Sequence, residues 1–404
     1  MNYRVKIMEK DIDIIVYGAT GFTGKLCVEY LASKERSTKW AIAGRNQEKL
    51  KTVADELCPE VEILIADSDD EDALDRLTQR ARVVLSTAGP FHRYGSKLVA
   101  SCVKNNTHYV DITGENFWVK GLIDKHHDEA SRKGVRIIPS CGYDSIPSDL
   151  GSLHCVQSMN KPIKRIEAFH TMKGEASGGT LETMFSLADL DLGKSLFDPF
   201  LLNPEGTVSE EQRKQSKDKT GVLEQDAING WSGPFIMAAA NTRVVRRSAA
   251  LHQQKGEQYG KDFTYQEFTF HKKKTGAYMA LSFLAIFGLV LMTPLRKIVR
   301  PLMKKPGEGP SREARENGWF SATYKALAED GDVSIFKMHG KGDPGYKITS
   351  LMVTESALCL VENQEDLPGG SGYGGILTSA SGLGGALISR LKNAGIVFEG
   401  PVQN

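Results

Sequence analysis

DIIVYGATGFTGKLCVEYL, from Asp13 to Leu31, is the stretch on which the fold turns. Ile14, Ile15 and Val16 form an apolar run that stops at Gly18; Gly21 and Gly24 follow at intervals of three, and a helix-like pattern begins. A buried strand running straight into a glycine-rich turn and a helix brings backbone N–H groups and the positive end of the helix dipole to one point, which suits a phosphate. In such a turn Gly18 permits the tight bend, Gly21 lets a pyrophosphate approach the backbone, and Gly24 lets helix and strand pack closely. The spacing GxxGxxG is one residue longer at the first gap than GxGxxG, so the surroundings must carry the reading.

They do so in two ways. The next strand pattern, WAIAGRN (Trp40 to Asn46), lies about twenty residues on, where an NAD site presents an acidic side chain to the ribose 2′-hydroxyl. Gly44 and Arg45 stand there instead. An arginine can bind a 2′-phosphate bidentately and stack on adenine, whereas a carboxylate would repel it, so NADP is favoured and NAD is the second choice. A solvated arginine at a strand end is the plain alternative.

Further βα units follow: VEILIAD (Val61 to Asp67), the amphipathic DDEDALDRLTQRA, and VVLSTAGPF (Val83 to Phe91). Strands alternating with helices imply a parallel sheet whose ligand lies across the carboxyl ends of the strands. That placement assigns Gly18, Thr20, Gly21, Phe22, Thr23 and Gly24 to the phosphates, Asp67 to the adenine side, and Ala88, Gly89 and Pro90 to the nicotinamide ribose.

GATGFTG, AGRN, GPFHRYGSKLVASCVKNNTHYVDITGE and SCGYDSIPSDLG, in that order, resemble the saccharopine dehydrogenase-like oxidoreductases, a family that includes the trans-acting enoyl reductases of bacterial lipid assembly. GGILTSASGLGGALISRLKNAGIVF (Gly374 to Phe398) resembles that family's C-terminal segment. The resemblance implies an α/β fold: an NAD(P)-binding Rossmann domain (1–150), a second α+β domain for substrate or dimerisation (151–350), and a segment, 351–404, packing back on the first. It implies an oxidoreductase and says little about the substrate. A saccharopine site would need several cations for several carboxylates, and the motifs show no such cluster, so the lipid-directed branch is the better analogy.

The residues that could assist hydride transfer follow the later strands: His92 and Tyr94; Asp111, Thr113 and Glu115; Cys141, Tyr143, Asp144 and Ser145. Tyr143, Asp144 and Glu115 are the expected catalytic set, with Tyr143 as proton donor because a phenol can donate to a developing oxyanion and Gly142 allows an exposed turn. Each has a structural alternative: a tyrosine tip bonded at the domain junction, an aspartate capping a turn, and a glutamate that, like Asp111, holds a loop by accepting backbone N–H bonds.

Composition sets the limits. Across 404 residues, 51 Lys and Arg nearly balance 50 Asp and Glu, which gives no reason to expect a nucleic-acid partner. Six scattered cysteines without CxxC suggest a reduced, cytoplasmic setting and no cysteine zinc site. No HExxH or GxSxG occurs, so no metal is expected and hydrolysis is unsupported.

One stretch stands apart. TGAYMALSFLAIFGLVLMTPL, residues 275–295, is uncharged and as a helix would be about 30 Å long, flanked by HKKK and RKIVRPLMKK. Monotopic contact with a membrane or lipid surface is expected rather than spanning; a buried core helix or a homodimer interface is the alternative. The chain thus reads as an NADPH-dependent reductase of a hydrophobic, lipid-linked enoyl, carbonyl or imine substrate, or as a cofactor-binding, lipid-surface attachment protein with little turnover. Residues 203–226 read as an exposed insertion, 304–318 as a flexible connection, Tyr346 to Glu362 as a strand followed by a helix, and GGSGYGGILTSASGLGG as a loop over the cofactor cleft or a plain linker.

Overall fold

The structure, a computed structural model, describes residues 10–33, 37–174, 185–186, 189, 198–256, 259–302 and 309–403. Its first unit alternates strand and helix: β1 (Ile12–Tyr17), α1 (Phe22–Ala32), β2 (Trp40–Gly44), α2 (Gln47–Leu57), β3 (Glu62–Ile65), α3 (Glu71–Arg80) and β4 (Ala81–Ser86). Then come α4 (Phe91–Tyr94), α5 (Ser96–Lys104), β5 (His108–Asp111), α6 (Asn116–Arg132) and β6 (Arg136–Ile138). All pair in parallel, β3–β2–β1–β4–β5–β6, and Gly375–Ile376 adds an edge strand beyond β6. Ile14, Ile15 and Val16 are fully buried, as a central strand covered on both faces requires. Asn46 and Asp70 begin α2 and α3 by accepting the N–H groups of Lys49 and Ala73, both at 2.9 Å.

Helix α7 (Ile146–Met159) leads from this sheet to the next, with Pro147 in its first turn, and every residue from Ile146 to Leu153 is buried. Gly151 is required where it stands: a Cβ there would lie 2.2 Å from Cζ of Tyr324. The second sheet opens with β7 (Ile163–Lys173) and continues through α8 (Glu210–Gln215), β8 (Leu223–Gln225), β9 (Gly230–Pro234), α9 (Ala238–Gln253) and β10 (Tyr259–His271). After α10 (Lys274–Met292), α11 (Arg296–Val299) and α12 (Arg312–Glu316) come β11 (Trp319–Ala328) and β12 (Val333–Lys341). The chain closes with α13 (Thr349–Glu362), β13 (Gly375–Ile376), α14 (Ser379–Gly382), α15 (Gly384–Asn393) and β14 (Val397–Gln403). The sheet order is β14–β12–β11–β7–β10–β9–β8, antiparallel except for β7 with β10.

The C-terminal segment returns to the first sheet through α13, which packs on α1 and β4, and through β13. Its last strand leaves again: β14 pairs with β12, so the segment completes both sheets.

Two local expectations change. Tyr346 to Glu362 holds no strand: a helical turn at Pro344–Ile348, begun by Asp343 accepting Tyr346 N–H at 2.9 Å, runs into α13. The glycine-rich stretch 369–385 is no loop over the cleft. It carries β13 and α14 at the far edge of the sheet, held by Arg136, whose guanidinium donates to the carbonyls of Pro368, Gly370 and Gly382 at 3.0, 2.7 and 2.6 Å. Residues 203–226 are largely exposed, as expected, and are anchored at two points. Ser209 and Gln212 form a capping box at α8, and Asp218 pairs with the buried Arg243 at 2.7 Å. Of the supposed connection 304–318, the part up to 308 lies outside the described residues, and Arg312–Glu316 is helical.

Candidate active site

In the first sheet the chain order departs in both directions from β1, towards β2 on one side and β4 on the other. Such a switch point opens a crevice at the carboxyl ends of the strands. Two turns line it and are bonded to each other: Thr87 N–H donates to Tyr17 O at 2.9 Å, and the Thr87 hydroxyl to Gly18 O at 3.1 Å. Gly18 has φ +86°, and a Cβ on it would stand 2.9 Å from Ala88 N; one on Gly24 would stand 2.3 Å from Gly18 O. Gly21 is the N-cap of α1 and offers no side chain, so the first amides of that helix are left to a ligand. The ring of Phe22 has a structural task as well, lying edge-on to Tyr346 at 4.9 Å and under the Arg315 guanidinium at 5.4 Å.

On the adenine side, Arg45 follows β2 and is exposed, while Asp67 follows β3 and accepts Asp69 N–H at 3.0 Å. Both charges reach Tyr17, whose hydroxyl donates to Ala66 O at 3.3 Å. Burial first, and then Asp67, push that phenol up to about 12, against Arg45. A cradle that only glycine fits, open helix amides and an exposed guanidinium suit a dinucleotide carrying a 2′-phosphate.

On the nicotinamide side, Glu115 is buried and ties down the turn after β4. Its Oε1 accepts Phe91 N–H at 2.9 Å, and its Oε2 accepts His92 N–H at 2.8 Å and meets His92 Nδ1 at 2.7 Å. His92 is half-buried, with Nε2 3.4 Å from the Ser186 hydroxyl, which also takes a bond from Arg93 at 3.0 Å. Asp111 accepts the N–H groups of Thr113 and Ser140, both at 2.9 Å, and burial raises its carboxyl to about 7. Ala88, Gly89 and Pro90 form the turn itself.

Tyr143 is not the exposed tyrosine that the Gly142 turn suggested. Its hydroxyl is buried without a hydrogen-bond partner, and its ring packs edge-on to Phe320 of β11 at 5.0 Å. Burial raises its phenol far above the ordinary range. It packs within the hydrophobic core. Asp144 beside it is half-buried, and burial, then the charge of Glu267, raises its carboxyl to about 6.

Residues 14–138 match the saccharopine dehydrogenase NADP-binding domain. A trans-acting enoyl reductase of Mycobacterium bovis is 33% identical over 430 residues, spanning 96% of this chain and 98% of its own length. The chain belongs to the saccharopine dehydrogenase-like oxidoreductase family. It is an NAD(P)-dependent oxidoreductase whose first domain binds NADP. The trans-acting enoyl reductase of Mycobacterium leprae is 31% identical over 416 residues, spanning 96% of this chain and 98% of its own. Saccharopine dehydrogenase of Saccharomyces cerevisiae shares the fold, with a TM-score of 0.54 over 96% of this chain and 100% of that one, at 10% identity.

In this saccharopine dehydrogenase-like chain the second sheet brings a polar group to the junction that sequence reasoning missed. Glu267 of β10 is buried and accepts from Ser148 at 2.6 Å, Tyr265 at 2.8 Å and Asn241 at 2.8 Å; Ser145 donates to Asn241 at 3.2 Å. His170 of β7 stacks on Phe235 at 4.6 Å and comes within 3.5 Å of Glu267 without making a hydrogen bond. The available signal was a glutamate and a histidine beside aromatic residues in strand-like stretches, TYQEFTF and EAFHTMK. The arginines of RVVRRS are committed to the fold: Arg243 to Asp218, Arg246 to the carbonyls of Pro199 and Tyr265, and Arg247 to those of Leu202 and Ile376.

Proposed function

We propose that the chain is an NADPH-dependent enoyl reductase acting on a hydrophobic, lipid-linked acyl substrate met at a membrane or lipid surface. The supporting observation is that the likeness to trans-acting enoyl reductases runs through both domains, the substrate-side sheet included. When bound, the reduced nicotinamide supplies the hydride.

The chain's own residues do the rest. The glycine turn and the start of α1 bind the pyrophosphate, and Arg45 binds the 2′-phosphate. Saturating the double bond adds a hydride at the β-carbon and a proton at the α-carbon. The half-buried His92 is the group that hands over that proton from Nε2, because Glu115 holds Nδ1 at 2.7 Å and so fixes the ring. Glu115 is thus a positioning residue, and Asp144, raised to about 6, is the second candidate donor.

The test is oxidation of NADPH by purified protein with long-chain enoyl thioesters as acceptors. His92→Gln should lower kcat by about a hundredfold or more with NADPH affinity kept, and Glu115→Gln should lower it less. If Asp144→Asn abolishes turnover while His92→Gln does not, the proton comes from Asp144. If no enoyl acceptor oxidises NADPH, the reductase reading fails.

A further inference from the structure

Helix α10 is out of place on the surface of a globular enzyme. Of its residues Lys274–Met292, only Ala277 is fully buried. Met279, Phe283, Ile286, Leu289 and Met292 are between 57% and 85% exposed, and they share one side of the helix with Tyr278, Ser282 and Ala285. Leu295, Ile298 and Leu302 extend the apolar surface past the helix end. An exposed apolar surface of this extent marks an interaction site.

Topology decides how such a helix can meet lipid. The strand before it, β10, pairs with β7 on one side; the first strand after it, β11, pairs with β7 on the other. A single crossing would put two neighbours of one strand on opposite sides of a membrane. No return crossing is available, because Arg296, Lys297, Arg300, Lys304 and Lys305 interrupt the chain between Met292 and Gly309, leaving no apolar run of about 17 residues. A bilayer therefore admits α10 from one side only.

Charge favours lipid over a second copy of the chain as the occupant. Lys272 and Lys273 are exposed just before the helix and Lys274 at its first position, Lys297 is exposed after it, and Arg296 and Arg300 are half-buried there. Cations at both ends suit an anionic leaflet, whereas two copies meeting along α10 would bring like charges together. The far end is also tied towards the candidate site: Arg296 and Arg300 bond Asp189 at 3.0 and 3.3 Å, three residues from Ser186, which bonds Arg93 beside His92.

We infer that α10 lies in one leaflet of an anionic phospholipid bilayer, held by its apolar side and by the cations at its two ends, without crossing it. The inference rests on the lipid-linked substrate reading only in giving the attachment a purpose; its test is separate. Full-length protein is sedimented with vesicles of phosphatidylcholine, with and without phosphatidylserine. Binding to the anionic vesicles is expected, falling about tenfold or more with each of Phe283→Asp and Ile286→Asp and about fivefold per cation in Lys272→Gln and Lys273→Gln.

On sealed vesicles, Lys272→Cys and Lys297→Cys, made singly with the half-buried Cys58 replaced by serine, should both react with an impermeant maleimide added outside. NADPH binding and turnover of a short, soluble enoyl thioester should match wild type in all of these variants, which separates the attachment from the reductase reading. Labelling of only one position, or equal sedimentation of wild type and Phe283→Asp, overturns the inference. So does a dimer, formed without lipid, that Phe283→Asp dissociates.

Discussion

Replacing Gly24 with alanine tests the cofactor cradle most directly. The new methyl would sit 2.3 Å from Gly18 O and 2.9 Å from Ala19 Cα, both backbone atoms that cannot rotate aside. Ordinary contact needs about 1 Å more, so the start of α1 must move off the β1 turn, at an overpacking cost of about 1–3 kcal/mol. That motion carries the phosphate-binding amides with it. Losing one bond to a charged group costs about 1.5–3 kcal/mol, so NADPH affinity should fall at least about tenfold, and the melting temperature of the free protein by several degrees. Gly21→Ala, whose Cβ would lie 3.3 Å from Gly18 O, should do much less. Gly121→Ala, in α6 with nothing within 4 Å, should be neutral or stabilising by up to about 1 kcal/mol. Calorimetric titration with NADPH and thermal melts of the three variants give the ranking. If Gly24→Ala binds NADPH as wild type does, or Gly21→Ala is the worse of the two, the cradle has been misread.

Other expectations are simpler to check. Arg45→Ala should weaken NADPH by about tenfold or more and leave NADH unchanged; equal losses for both would remove Arg45 from the 2′-phosphate. Arg136→Met should expose the glycine-rich 369–372 segment to proteolysis and lower stability by about 2–4 kcal/mol, since three carbonyls lose a charged donor; an unchanged cleavage pattern would count against that role. Asp111, raised to about 7 by burial, holds a proton in the folded state that the unfolded chain releases near pH 4. Its contribution therefore favours folding below about pH 4 and is lost as pH rises towards 7, and Asp111→Asn should flatten that part of the stability profile. Denaturant melts between pH 4 and 8 measure it, and a parallel profile for the variant would show that the group is not protonated there.

What the sequence disclosed was local. The β1–α1–β2 unit could be read because its strand, turn and helix are consecutive in the chain. The far half of the site could not, since Glu267 and His170 gain meaning only when β7 and β10 pair beneath α7. Tyr143 shows the opposite error: a glycine beside it suggested an open turn, but Phe320 arrives from a strand almost 180 residues later and closes it. Residues 346–362 were ambiguous for a different reason: a continuous apolar run reads equally as a buried strand or a buried helix. For α10 the length and flanking cations favoured an exposed helix, but composition alone left burial open, because an apolar helix has the same composition whether protein or lipid covers it.

The late origin of two edge strands governs how a newly made chain can mature. The first sheet lacks its border until residues 375–376 have been synthesised, and the second lacks its own until 397–403 have. A nascent chain halted before either point would present unpaired strand edges to its neighbours, which favours aggregation or capture by chaperones. A product truncated before residue 375 would keep both edges open, which favours its capture by chaperones over its persistence as a free nucleotide-binding fragment.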